Sequence, residues 1–171
     1  MLILALDLSL NCTGYAVLEY KDKQLDIVER GIINNKNIPA ALLGKKLERI
    51  DNKLNSLFDK YQFQAIVREA SFSNKNVKST QRLFMTLGIV YENCHKHGQD
   101  KVIEIAPTTV KKLVGGSGKC TKEEVADNLM YYVGYKNYET DDISDAVAVG
   151  IAYFKQQKYE IKLKHMMVTE E

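Results

Sequence analysis

Leu2-Ile3-Leu4-Ala5-Leu6-Asp7, Leu8-Ser9-Leu10-Asn11-Cys12-Thr13-Gly14 and Tyr15-Ala16-Val17-Leu18-Glu19-Tyr20 follow one another at the head of the chain, and they decide the fold. The first run reads as a buried strand that ends on a carboxylate. Asn11 to Gly14 reads as a turn and Tyr15 to Tyr20 as a second strand. Lys21-Asp22-Lys23 makes another turn, and Leu25 to Ile33 gives a third strand, so the chain opens as an antiparallel meander. A carboxylate at the end of a buried strand is costly unless something compensates its charge. Three more acids stand in comparable places. Glu69 ends the run Ala65-Ile66-Val67, and Asp142 and Asp145 head the helical pattern Asp145-Ala146-Val147-Ala148-Val149-Gly150-Ile151-Ala152. Four such carboxylates brought together call for a cation. Hard oxygen ligands with no accompanying His or Cys select Mg²⁺ or Mn²⁺. The set therefore points to metal-dependent phosphoryl transfer.

Beyond the meander, Leu43, Leu47, Ile50, Leu54 and Leu57 recur at helical spacing, flanked by Lys45, Lys46, Glu48, Arg49, Asp51 and Lys53. This is an amphipathic helix. Gln64 to Glu69 reads as a strand, Ser79 to Lys96 as a helix carrying Leu83, Leu87, Val90 and Tyr91, and Lys101 to Ile105 as a fifth strand. Pro107 opens a short helix through Val114. Gly115-Gly116-Ser117-Gly118 breaks it, without the spacing of a phosphate-binding loop. Thr121-Lys122-Glu123-Glu124 starts the next helix as a capping box, and Asp141 to about Gln157 is the last. The expected organisation is one domain over residues 1–157 and a charged tail over 158–171.

The 171 residues suffice for one buried core, and 45% hydrophobic with 27% charged residues is an ordinary globular balance. A net charge of +2 favours no partner, but its distribution does. Ala70 to Tyr91 holds no acid against Lys75, Lys78 and Arg82. Ile105 to Lys122 holds none against Lys111, Lys112, Lys119 and Lys122. Two acid-free basic segments suit a polyanion such as a nucleic-acid backbone. Cys12, Cys94 and Cys120 fit neither a disulfide framework nor a zinc site, which points to a reducing cytoplasmic setting. Met1 to Leu6 lacks a basic leader and is interrupted by Asp7. No signal peptide, membrane span or nucleotide cofactor is expected.

Three strands, then helix, strand, helix, strand and helices, with Asp ending the first strand, resembles an RNase H-like α/β domain. Within it the chain is similar to the RuvC family of Holliday-junction resolvases, over most of its length. The motifs that match are Asp7 with Thr13-Gly14, Glu69 with Phe72, Asp142-Ile143-Ser144-Asp145-Ala146, and Lys111 with Lys122 around Leu113-Val114-Gly115-Gly116. Leu8-Ser9 replaces the Pro-Gly common after the first Asp. Arg68 stands at a usually apolar position, and the ending differs from the family's basic one. Phage-encoded and other divergent members of this kind cut several branched DNAs.

The resemblance implies a five-stranded mixed sheet, three strands antiparallel and two further strands, flanked by helices. It also implies an endodeoxyribonuclease that resolves four-way junctions by paired nicks. Geometry leaves Asp141 and Asp142 open, since both share a helical face with Asp145; the resemblance selects Asp142. The expected chemistry uses two Mg²⁺ ions, with Mn²⁺ an alternative. Asp7 would bridge them, Glu69 and Asp142 would complete either side, and Asp145 would hold a metal or orient water. Lys122 and Lys111 would neutralise the scissile phosphate, and Phe72 would stack on an unpaired base. DNA contacts are expected from Lys75, Lys78, Arg82, Lys111, Lys112, Lys119 and Lys122. Paired nicks imply a homodimer, with Ser79 to Lys96 its interface by resemblance. The rivals are another RNase H-like nuclease, such as one maturing ribosomal RNA, and a non-catalytic branched-DNA-binding protein. An actin-like or sugar-kinase ATPase needs two such lobes.

Overall fold

The computed structural model of the chain describes residues 1–70, 76–99 and 101–164. β1 (Leu2–Asp7), β2 (Cys12–Lys21) and β3 (Gln24–Asn34) form the antiparallel meander. α1 (Leu43–Lys60), β4 (Ala65–Glu69), α2 (Val77–Lys96) and β5 (Val102–Ile105) follow. α3 (Pro107–Val110) runs into a π-helical turn at Lys111–Gly115, and α4 (Lys122–Val133) and α5 (Asp141–Gln156) complete the order. The sheet runs β3-β2-β1-β4-β5, with β4 and β5 parallel to β1 and its neighbour β4 respectively. This is the expected mixed sheet of three antiparallel and two further strands.

Alternation along the strands sorts the core into two layers. Ile3, Ala65 and Val67 pack with α4 and α5 on one face, while Leu4, Leu6 and Ile66 pack with α1 and α2 on the other. Parity then places Asp7 and Glu69 on the α5 face, four residues beyond Ile3 and two beyond Val67. α5 is buried from Ala146 to Phe154, as its uninterrupted apolar sequence requires. It lies close on the sheet because Gly150 has no side chain. A Cβ there would sit 2.3 Å from Leu18 Cδ1 and 3.1 Å from Ala5 Cβ. In α1, Ile50, Leu54 and Leu57 are fully buried. Each contributes about 1.5–3 kcal/mol of apolar burial.

Four local readings differ from the sequence expectation. Cys12 to Gly14 belong to β2 rather than to a turn, because they pair with Asn34, Ile33 and Ile32 of β3 and Gly14 pairs with Asp7 of β1 as well. The turn is instead Leu8 to Asn11. The expected Pro107–Val114 helix changes hydrogen-bonding period after Val110. Tyr91 is exposed, whereas Thr86, Asn93 and Cys94 fill the inner face of α2. Lys46, expected on the polar flank of α1, is buried. Arg68, which had no rationale, is also buried: its guanidinium pairs with Glu104, its cross-strand partner on β5, and donates to Glu69 O at 3.0 Å.

Residues 157–164 return along the domain. Lys162 N donates to Lys23 O and Lys164 N to Tyr131 O, both at 2.7 Å, and Tyr159 packs edge-on against Tyr20 and Phe154. No helix among the described residues is long and apolar enough to cross a membrane.

Candidate active site

Asp7 leaves β1 opposite Gly14 of β2. A Cβ on Gly14 would fall 1.8 Å from the Asp142 carbonyl oxygen, so only glycine lets the first turn of α5 rest on β2 beside Asp7. Thr13, its neighbour, fixes the intervening loop. Its Oγ1 donates to Ser9 O at 2.6 Å and accepts from Ser9 N at 3.2 Å. The Thr13-Gly14 pair thus sets both the exit from β1 and the seat of α5. Glu69 ends the adjacent parallel strand β4, and Asp142 and Asp145 come from the opening turns of α5. All four acids are partly buried.

α4 supplies the counter-charge. Thr121 Oγ1 accepts from Glu124 N at 3.2 Å and Thr121 N donates to Glu124 Oε2 at 2.8 Å, the reciprocal capping box that the sequence announced. It fixes Lys122 at the first position of the helix. Lys122 Nζ lies 2.5 Å from Asp145 Oδ2. Glu69, Lys111, Lys122 and Asp145 together line a cavity of about 70 Å³ floored by Pro107, Val110, Val125 and Ala148.

Burial pushes the Asp7 carboxyl up to about 7, and the carboxylates of Asp145, Glu69 and Asp142 add to the rise while Lys122 opposes it. Glu69 is raised by burial and then by Asp145, against the pull of Lys122 and Lys111. The hydrogen bond to Asp145 raises Lys122. Among the described residues, four carboxyls share one locality with fewer positive charges than negative, an arrangement that favours a bound cation. The donors are oxygens, which suits Mg²⁺ or Mn²⁺. Among the described residues, no three His, Cys, Asp or Glu side chains already close around one coordination point. Lys122 holds Asp145 instead.

The acids expected from the sequence are therefore brought to one place, with Lys122 and Lys111. Asp141 is exposed and lines a neighbouring cavity with Lys122, Glu123, Asp127, Ser144 and Asp145, so it borders the cluster, whereas the charge of Asp142 acts directly on Asp7. Lys78 and Arg82 are exposed on the first turns of α2, and Lys112 and Lys119 are exposed around the glycine-rich turn. Phe72 and Lys75 lie outside the described residues. Sequence reasoning passed over Cys12. Its thiol is buried beside Asp142, and that burial and the hydrogen bond to the Asp142 carboxylate push it up to about 11. Only the strand pairing of Cys12, which the turn reading denied, would have signalled it.

The family model described as "Crossover junction endodeoxyribonuclease RuvC" matches residues 3–153. A protein of that name from Ehrlichia ruminantium (strain Gardel) is 32% identical over 165 residues, covering 95% of this chain and 99% of its own length. One from Clostridioides difficile (strain 630) is 28% identical over 168 residues, covering 97% of each. Among solved structures, T. thermophilus RuvC in complex with Holliday junction substrate superposes with a TM-score of 0.83 over 96% of this chain and 99% of that one. At 20% identity that likeness bears on the fold.

Proposed function

The chain belongs to the RuvC family of crossover junction endodeoxyribonucleases, and from that premise we propose that it is a metal-dependent, structure-selective endodeoxyribonuclease acting on four-way and related branched DNA. The observation that carries the reading is the convergence of Asp7, Glu69, Asp142 and Asp145 beside Lys122 and Lys111. Hydrolysis of a phosphodiester needs a negative pocket for divalent cations and a positive group for the phosphate, side by side.

Asp7, Glu69, Asp142 and Asp145 are assigned to hold two Mg²⁺ ions, with Asp7 held rigidly among them by its place on the central strand. Bound there, divalent ions acidify the attacking water and offset charge on the phosphate and the leaving 3′ oxygen. Asp7 would act as a ligand only as the carboxylate, so cation binding at this site would compete with the proton that its raised pKa favours. Lys122 exchanges Asp145 for the scissile phosphate when DNA arrives, and Lys111 faces the same cavity. The walls made by Val110, Val125 and Ala148 keep these interactions in a poorly hydrated setting, where they are strongest.

Phe72 is assigned to stacking on an unpaired base at the junction centre, since Ser71-Phe72-Ser73-Asn74-Lys75 is polar and basic. Lys75, Lys78, Arg82, Lys112 and Lys119 are assigned to the DNA backbone, and residues 1–157 to the nuclease domain. A homodimer is proposed through α2. Val77, Phe84 and Tyr91, spaced by seven, lie on one exposed face with Met85 beside them, an apolar stripe that a second copy would cover. Comparing junction, flap, linear duplex and RNA substrates tests the assignment. Mg²⁺-dependent cleavage confined to branched DNA is expected, and preferential cleavage of linear duplex or RNA contradicts it.

A further inference from the structure

Beyond the catalytic acids, the loops at the same end of the sheet enclose a second positive cavity, of about 440 Å³. Its walls are Leu10 and Asn11 from the β1–β2 turn, Lys36 to Ala40 from the β3–α1 loop, Lys46 from α1 and Arg82 from α2. Among the described residues, three cations line it and no acid does. Lys46 decides its chemistry. Only 6% of the residue is exposed, and its ammonium donates to Asn11 Oδ1 at 2.7 Å. A buried ammonium that meets a neutral amide rather than a carboxylate is under-compensated, and an arriving anion relieves that.

The cavity is also built rather than incidental. Asn35, fully buried, donates through Nδ2 to Leu10 O at 2.9 Å and to Lys46 O at 3.0 Å, and its N–H donates to Asn11 O at 2.9 Å. Arg49 Nη1 caps Asn34 O at 2.7 Å. These bonds tie three separate segments into one rim. Leu10, Asn11 and Arg82 also border an adjoining cavity lined by Leu8 and Ser9, the two residues that follow Asp7. The positive surface is thus continuous with the catalytic end of β1, on the side away from Lys111 and Lys122.

We propose that the Lys36, Lys46 and Arg82 cavity is a non-scissile phosphate subsite, which grips the backbone of one junction arm while the acids act on another phosphate. The inference rests on the nuclease reading, and its occupant is a DNA phosphate rather than a free anion. Lys46→Met keeps the buried stem and removes the charge, Lys46→Arg restores it, and Lys36→Ala removes a second contact. Junction affinity is measured in Ca²⁺ across a salt series, with thermal melting as the folding control. One lost phosphate contact reduces the steepness of the negative slope of log K against log salt by about 0.9. That drop is expected in Lys46→Met and absent in Lys46→Arg. Single methylphosphonate substitutions in the junction should weaken wild-type binding at a phosphate away from the nick, and have no effect there in Lys46→Met. Nicking at saturating enzyme should be unchanged. An unaltered slope, or interference that persists in Lys46→Met, overturns the subsite. So does stabilisation of the protein by inorganic phosphate without a change in slope, which marks a free-anion pocket. A chain that fails to bind junctions in any form contradicts the nuclease reading instead.

Discussion

Asp7 carries a conflict between stability and chemistry. Its carboxyl stands at about 7 in the folded protein, against the ordinary carboxylate value near 3.9 in the unfolded chain. A raised folded pKa gives a contribution that is fully present below about pH 4 and lost as pH rises through 7. Above neutrality the folded, metal-free protein therefore bears an ionised, partly buried carboxylate beside three others. Asp7→Asn removes it. The expected outcome is a gain of about 1–2 kcal/mol in stability in EDTA at pH 8, with a loss of cleavage on the order of a hundredfold or more. Thermal melting and a junction-nicking assay on the same preparation check both halves. A variant that neither melts higher nor loses activity would refute the charge balance drawn for the site. Lys122→Met is expected to lose cleavage as well, yet to lower Asp7's readiness to ionise, because the charge that opposes its raised pKa is gone.

Between elements, the seat of α5 on β2 depends on one missing atom. Gly14→Ala would place a methyl group 1.8 Å from the Asp142 carbonyl, so the first turn of α5 must shift. We expect about 1–3 kcal/mol of destabilisation and a loss of nicking larger than that destabilisation explains, measured by urea unfolding and by cleavage at a temperature where the variant stays folded. Glu29 ties β3 to α1 in a different way. Lys60 Nζ at 2.7 Å, Lys53 Nζ at 3.0 Å and Tyr61 OH at 3.0 Å hold its carboxylate down to about 2, Lys60 most strongly. A depressed folded pKa stabilises above the unfolded value near 4.5, and that contribution disappears as pH falls toward 2. Glu29→Gln should flatten the acid limb of the stability curve between those limits and cost about 1–2 kcal/mol at pH 7; equal acid limbs would show that the cluster is only a surface pairing. The elements themselves were legible because hydrophobic period and strand-end acids depend on neighbours in sequence. The pairing Arg68–Glu104 was not, because it needs the register of β4 against β5. Nor was the burial of Lys46, which depends on the β3–α1 loop folding back over the β1–β2 turn.

For the whole molecule, the exposed apolar stripe on α2 and the acid cluster make a joint demand. In the proposed homodimer, two catalytic sites would meet two strands of one junction. Phe84→Glu puts a charge at the centre of that stripe, where Phe84 is 63% exposed in the single chain. It should leave folding intact, shift the protein toward monomer in sedimentation experiments and uncouple the two nicks. A variant that remains dimeric moves the interface elsewhere. Phe72→Ala should slow junction cleavage without changing metal binding, and unchanged cleavage would place Phe72 outside the DNA contact. The gathering of the four acids was legible in the sequence because each lies at or near the end of an element, and compact α/β folding brings such ends to one edge of the sheet. Which branched DNA is met there depends on loops whose sequences carry charge but little periodicity.

The most direct test is to incubate the protein with a four-way junction and Mg²⁺ and map the nicks on all four strands, beside Asp7→Asn. Symmetric paired nicks in two strands of like polarity, absent without Mg²⁺ and absent in Asp7→Asn, are the predicted result. Nicking that persists without divalent metal, or an Asp7→Asn protein that cuts as the wild type does, would contradict the account.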